Sequence, residues 1–502
     1  MTEARPRPSD WLLATCVAAL WAILPCLGPL LRGELVGSPY TDLYPSAWGL
    51  AVFAQAQPGF PLSTTLFGAP DGIGFYYSSP IHGWLGTPLF HLFGPVVAYN
   101  GTLLLARAAT VLAAFGWLRS LRFGLLPGLA GALLYGASPF FHGYTVEGIV
   151  EGTDGWALPL WAWMLSRQHT LRAGLALFLC IFSSWYLGMV ACGLAVVWGL
   201  ADRRALYSLG LGLGLSLPFL YGFASAFGGN QPLGEDVRLA MSASLAVPTP
   251  HWRAPANPFA INTYVGFSTL ALASLGLRAR PLLALSALAC FVLSTGRGPW
   301  WQLPVLEMVR FPYRWHAGTL LCLAPLVAHA STRVRWFGLV PWLEGLVFSP
   351  IRVLVPGAPV DVPALYDKVT GPVLLEFPGP YGTAPGERNL SRPRARYYLW
   401  AQLTHGAASP WSLDFNGVAR PDERPMAVLL APLRCLDTAQ VKLRGSCDAT
   451  PDWHSLRDSG VSQVMVHGDQ LAPADETALE DGLRARGAVL VGREGPLGLW
   501  AW

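Results

Sequence analysis

The sequence predicts an α-helical polytopic membrane protein that ends in a small α/β domain, and three observations predict it. Of 502 residues, 53% are hydrophobic and only 13% charged, with a mean hydropathy of +0.39; a soluble chain carries about twice that share of charge. Apolar runs, many long enough to cross a hydrocarbon core of about 30 Å, recur over residues 1–349. Most end in arginine, and the arginines fall in pairs on alternate connections. The net charge of +4 follows from that pattern, and the only lysines are Lys368 and Lys442. Nucleic-acid binding would need Lys and Arg clustered on one face, which the sequence lacks.

The N-terminus, MTEARPRPSD followed by WLLATCVAALWAILPCLGPLL, is charged like a signal peptide. Its apolar run is too long for one and lacks a small-residue cleavage site, so it predicts a retained first membrane helix. Apolar segments follow near 100–118, 124–140, 155–166, 173–184, 185–200, 205–227, 263–277, 281–296, 315–331 and 336–349. The pairs Arg5 and Arg7, Arg119 and Arg122, Arg167 and Arg172, Arg203 and Arg204, Arg278 and Arg280, and Arg333 and Arg335 all fall on the cytoplasmic side in one assignment. That assignment requires 173–200 to be a hairpin turning near Ser183, Ser184 and Trp185. It gives about eleven segments, with the N-terminus cytoplasmic and the C-terminus outside.

The long connections then share the outer face: 32–99, 141–154, 228–262, 297–314 and the tail from 350. Acids collect there, at Asp42, Asp71, Glu147, Glu151, Asp154, Glu235 and Asp236. The chain therefore divides into a transmembrane part, 1–349, whose outer loop 32–99 carries interfacial helices, and an extracytoplasmic α/β domain, 350–502. In the latter PVLLEFPG, SQVMVHG and AVLVGREGPLGLW predict strands, and Ala474 to Arg486 predicts a helix. Six cysteines lie in apolar segments, where Cys acts as a small hydrophobe. Cys435 and Cys447 sit in the tail, where an oxidising compartment would permit a disulfide. No CxxC or HExxH pattern occurs.

Four outer segments hold the residues suited to chemistry. The first, ELVGSPYTDLYPSAWGLAVFAQAQP (34–58), places Asp42 soon after the first helix, with Tyr40, Tyr44 and Trp48 as boundary aromatics that line a substrate surface. The alternative for Asp42 is a solvated residue starting the turn before Pro45. The second, HGYTVEGIVEGTD (142–154), puts Glu147, Glu151 and Asp154 on one face if it is helical. Such a trio suits a divalent cation, magnesium or manganese, and equally suits a solvated acidic loop. The third, TGRGPWWQLPVLEMVRFPYRWH, leaves Arg297, Arg310 and Arg314 outside against the orientation rule. They fit a donor phosphate, or ion pairs with Glu307 and the outer acids. The fourth, FPLSTTLFGAPDGIGFYYSSPIHGW, adds Tyr76, Tyr77 and His82 to the substrate-lining candidates. Its aromatics also suit membrane anchoring, and its histidine suits packing.

An outward acid, a candidate cation site and phosphate-binding arginines suit transfer of a sugar from a lipid-linked phosphosugar, the acid drawing the proton from the acceptor hydroxyl. The motifs TDLYPSAW, PLFHLFGPVVAYN, EGTDGWALPLWAW, SSWYLG, YVGFSTLAL and RFPYR, with LLEFPG, QLTHG and SGVSQVMVHG in the tail, give the chain a further likeness. It resembles the GT-C group of polytopic glycosyltransferases, and within it bacterial membrane proteins described as glycosyltransferase-like or YfhO-like. The resemblance implies Asp42 as catalytic base, a bacterial inner-membrane location, and a polyprenyl-phosphate-linked sugar donor with a glycan, lipid or protein acceptor. The chain departs from the commoner pattern in having a single acid at position 42, and in Glu147 near a site often held by Gly-His. The competing expectations are a transporter or flippase for a lipid-linked glycan, and a non-catalytic assembly protein with a partner-binding outer domain.

Overall fold

A computed structural model of the chain describes residues 7–39, 41–61, 63–75, 77, 79–227, 263–303, 306, 309, 311–377, 397–411, 425–430, 451–471 and 473–502. Helices occupy every expected apolar segment. Among the described residues three of them, Pro8–Leu31, Pro80–Ser120 and Arg203–Gly222, are long and apolar enough to cross a membrane by length and composition, and six more are apolar but shorter.

Proline and glycine decide where these helices break. The first run is helix Pro8–Ile23, a 3-10 turn Leu24–Cys26 and a short helix Leu27–Leu31. Pro25 has no N–H to offer the Trp21 carbonyl. Arg107, from the middle of the next long helix, supplies one instead: its Nη2 donates to Trp21 O at 3.1 Å. Its Nη1 donates to Thr145 Oγ1 at 2.6 Å and lies 3.3 Å from His142 Nδ1. The His142 Nε2 donates to the Arg352 carbonyl at 2.9 Å, which leaves Nδ1 to accept from the guanidinium. The main charge inside an expected span is therefore consumed by the fold.

Helix Pro80–Ser120 is interrupted at Gly94 (φ 84°, ψ 176°), a backbone state that favours glycine. Pro95 reinforces the break by disfavouring helix in the residue before it. The limb before Gly94 exposes Trp84, Leu85, Leu92 and Phe93. With helix Leu43–Gln55 it supplies the helices expected in the 32–99 loop. The 173–200 region is also broken as expected: helix Thr170–Ser183 ends, Ser184 is extended (φ −161°, ψ 120°), and helix Trp185–Gly199 begins with Ser184 Oγ accepting from Leu187 N.

Inside the bundle, two stacked indoles are tied to serines of neighbouring helices. Trp161 stacks on Trp198 with ring centroids 5.1 Å apart, while their Nε1 atoms donate to Ser208 at 3.2 Å and Ser286 at 3.0 Å. Small polar residues bind helices where apolar packing alone gives no preference over lipid. At one end of the bundle Arg119 pairs with Asp10 at 3.1 Å, Arg167 lies over Trp163 where Trp11 stacks, and Arg280 lies over Phe123. Members of four expected cytoplasmic arginine pairs, counting Arg7 beside Asp10, thus share an end.

The tail meets the first outer loop rather than standing apart from it. Leu35–Val36 pairs antiparallel with Gly357–Ala358, Val355 N donates to Pro25 O at 2.8 Å, and Ser409 N donates to Leu66 O at 2.8 Å. Beyond this lies a mixed four-stranded sheet. Leu374–Phe377 runs parallel to Gln463–His467, which pairs antiparallel with Leu497–Ala501, which pairs antiparallel with Val489–Glu494. The stretch AVLVGREGPLGLW, expected as one strand, folds back on itself at Gly495 (φ 55°) as a hairpin. Helix Pro473–Ala485 covers the sheet with Leu479 and Leu483 buried, as its spacing predicts. Cys435 and Cys447 lie outside the described residues.

Replacing Arg107 with Met leaves the Trp21 carbonyl, Thr145 and His142 without their donor, at a cost of about 3 kcal/mol. The expected result is a clearly lower melting temperature for R107M in detergent; an unchanged midpoint contradicts this role.

Candidate functional site

At the bundle end opposite the clustered arginines, the Asp42 turn is docked on the corner that follows helix Pro139–Glu147. That helix stops because Gly148 adopts a left-handed conformation (φ 68°). Thr41 Oγ1 donates to Glu147 O at 2.5 Å, and Ser38 N donates to Val146 O at 2.7 Å. The backbones approach so closely that a Cβ on Gly148 would lie 2.8 Å from Leu43 Cα, and one on Gly37 would lie 3.1 Å from Gly148 Cα. Asp42 itself is half-buried at the N-terminal boundary of helix Leu43–Gln55 and does not cap that helix with its side chain.

The same corner carries the acids, but not on one helical face. Helix ends at Glu147, and a separate turn Val150–Thr153 holds Glu151, with Asp154 beyond it. This corrects the expectation of a shared face. Each acid also has its own surroundings. Glu147 is buried, with electrostatic reach to Tyr313. Glu151 accepts from Arg314 Nη1 at 2.6 Å. Asp154, 1% exposed, accepts from Ser79 Oγ at 2.6 Å, His82 Nδ1 at 2.8 Å and Trp156 Nε1 at 2.9 Å. Among the described residues no three His, Cys, Asp or Glu side chains form a group able to hold a metal ion, so the cation expected at this trio has no ligand set here.

Arg314 projects from the 3-10 turn Pro312–Trp315 into an aromatic cage. Its guanidinium carbon lies 3.7 Å from the Tyr186 ring centroid, 4.7 Å from Phe311 and 5.7 Å from Tyr144. Ring faces stabilise a desolvated cation by about 2 kcal/mol, and the Glu151 carboxylate balances the charge. The outer-acid pairing expected as an alternative for this arginine is present. Its Nε–H has no partner among the described residues. Arg297 is exposed and makes no ion pair among the described residues, so the structure does not join it to this cage. Tyr40, Tyr76, Arg310, Glu235, Asp236 and Glu307 lie outside the described residues.

Three aromatics differ from expectation. Tyr44 and Trp48, expected at a substrate surface, are buried against the tail: Tyr44 Oη donates to Pro359 O at 3.0 Å, and Trp48 Nε1 donates to Gln402 Oε1 at 2.9 Å. Their polar tips find partners in the protein rather than at the membrane boundary. Tyr77 packs on Phe53 instead of anchoring in lipid; burial first, and then the nearby Tyr99, Asp154 and Glu151, push its phenol well above the ordinary range. The Ser79–His82–Asp154–Trp156 network and the tyrosines around Arg314 leave little mark on the sequence. The only local trace of the network is a Ser and a His three residues apart at a helix start; the partner acid lies 72 residues on.

A double-mutant cycle on Glu151→Gln and Arg314→Gln is expected to give a coupling of about 1.5–3 kcal/mol in unfolding free energy. Additive effects would mean that the two side chains do not form one unit.

No family model and no curated protein matches the sequence. Solved structures do. The arabinofuranosyltransferase AftD from Mycobacteria is similar with a TM-score of 0.62 at 18% identity, over 99% of this chain and 40% of AftD. This chain thus spans well under half the length of that protein. An oligosaccharyltransferase from Archaeoglobus fulgidus in the apo form gives a TM-score of 0.53 at 11% identity, over 91% of this chain and 69% of that one. The archaeal oligosaccharyltransferase AglB from the same organism, in complex with an inhibitory peptide and a dolichol-phosphate, gives 0.53 at 11% identity, over 98% and 74%. At these identities the likeness is one of fold. The chain shares the membrane fold of these proteins.

Proposed function

We propose that this protein is a membrane glycosyltransferase that moves a sugar from a polyprenyl-phosphate-linked donor to an acceptor hydroxyl at the outer face of a bacterial inner membrane. One observation carries the proposal: in a GT-C fold, the Asp42 turn is locked onto the corner that bears Glu147 and Glu151, and Glu151 grips Arg314. A candidate base and a candidate phosphate ligand therefore border one polar layer, at the end of the bundle away from the clustered arginines.

In this reading Asp42 withdraws the proton from the acceptor hydroxyl as its oxygen attacks the anomeric carbon. The polyprenyl phosphate leaves from the opposite side of the sugar, so the configuration inverts. Arg314 steadies the negative charge on the leaving phosphate. Because Glu151 occupies Nη1 and Nε–H has no partner among the described residues, a phosphate oxygen can join the ion pair without breaking it. Arg310, next to this turn in sequence, is proposed to assist. The acceptor is a glycan, lipid or protein, and the tail, packed on the 32–99 loop, is placed to help recognise it. A transporter reading draws less support, because Arg107, the main charge within a span, commits both terminal nitrogens to Trp21, Thr145 and His142.

Asp42→Asn keeps the side-chain shape and removes the base. Sugar transfer from a polyprenyl phosphosugar is expected to fall by about a hundredfold or more, with unchanged membrane insertion and donor binding. Transfer at the wild-type rate by D42N would overturn the assignment.

A further inference from the structure

The acid and histidine beside the Arg314 cage form an arrangement that the proposed reaction does not use. Asp154 is 1% exposed, yet its two oxygens take hydrogen bonds from Ser79, His82 and Trp156. A carboxylate gripped from three sides serves to orient what it grips. With the Nδ1 proton given to Asp154, the neutral imidazole carries its lone pair on Nε2. His82 is 2% exposed, and that Nε2 has no partner among the described residues. The Tyr77 hydroxyl, also buried, likewise has none, and Tyr77 stands two residues before Ser79, whose hydroxyl donates to Asp154. A histidine that only filled space would forfeit about 1–3 kcal/mol at the unmet nitrogen, and an apolar side chain of similar size would avoid that loss.

We propose that His82 Nε2 and the Tyr77 hydroxyl form the subsite for the donor's sugar ring, the imidazole accepting a hydrogen bond from one ring hydroxyl and the phenol donating to a neighbouring sugar oxygen. Asp154, Ser79 and Trp156 are its positioning residues. The donor rather than the acceptor is assigned because Asp154, which holds His82, directly follows the turn that bears Glu151, the partner of the arginine proposed to hold the donor phosphate. The inference rests on the reading of the chain as a phosphosugar-dependent transferase.

The test measures equilibrium binding of two kinds of lipid to the full chain in nanodiscs: undecaprenyl phosphate alone, and undecaprenyl phosphate carrying a hexose or a pentose. The wild type is expected to bind at least one sugar-bearing lipid about tenfold more tightly than the bare phosphate. H82L and D154N are expected to reduce that preference to less than about twofold while leaving the bare phosphate's affinity unchanged. H82Q, which returns an acceptor near the Nε2 position, restores most of it. If the preference persists in H82L, or if both lipids weaken equally in the variants, the subsite assignment is overturned and His82 is a packing residue. If the wild type binds neither kind of lipid, the transferase reading itself fails, and that result is visible before any variant is made.

Discussion

The close approach of Gly37 and Leu43 to Gly148 is the constraint on which the rest of the site depends. Two stretches more than a hundred residues apart touch backbone to backbone, and Thr41 fastens them by donating to the Glu147 carbonyl. A side chain at position 148 would meet Leu43 and also require a left-handed backbone, so the contact is available only to glycine. Everything proposed for the chemistry follows from that contact. It sets the turn that bears Asp42 against the acidic corner, and the corner in turn reaches Arg314 through Glu151 and His82 through Asp154.

The polar layer is supported by elements that hold it rigid. Arg107 repairs the carbonyl that Pro25 leaves open and joins the first helix to Thr145 and His142, two turns or less from Glu147. The tail closes the other side, with Tyr44 and Trp48 hydrogen-bonded to it from the same helix that Asp42 begins. A catalytic carboxylate must be held within a fraction of an ångström to gain from proximity. The helix that follows Asp42, the carboxylate proposed as base, is fixed from both the bundle and the tail.

Much of the scaffold was legible in the sequence because membrane helices are written in long runs of one kind of residue. The break at Ser184 could be read from arginine placement, and the sheet strands from their alternation. The site was legible only in part. Arg314 stood out by violating the orientation rule, yet its cage was invisible, because Tyr144 and Tyr186 come from two segments far from it in sequence. Spacing suggested that Glu147, Glu151 and Asp154 share a face; Gly148 ended the helix between them, and a glycine's left-handed turn cannot be told from an ordinary helical glycine by spacing. Tyr44 and Trp48 looked like boundary aromatics because the sequence does not reveal that a segment three hundred residues later supplies their hydrogen-bond partners. His82 stood as a substrate-lining candidate that equally suited packing, because the acid that holds it belongs to another loop.

The central claim is that the Asp42 turn and Arg314 serve one ligand at one end of the bundle. Its most direct test is an experimental structure of the full chain in a nanodisc with a polyprenyl phosphosugar analogue unable to release its sugar. The account predicts the phosphate within hydrogen-bond reach of Arg314 and the anomeric carbon on the side facing Asp42. A headgroup seated at the Arg119–Arg280 end, or an anomeric carbon more than about 10 Å from the Asp42 carboxyl, would contradict it.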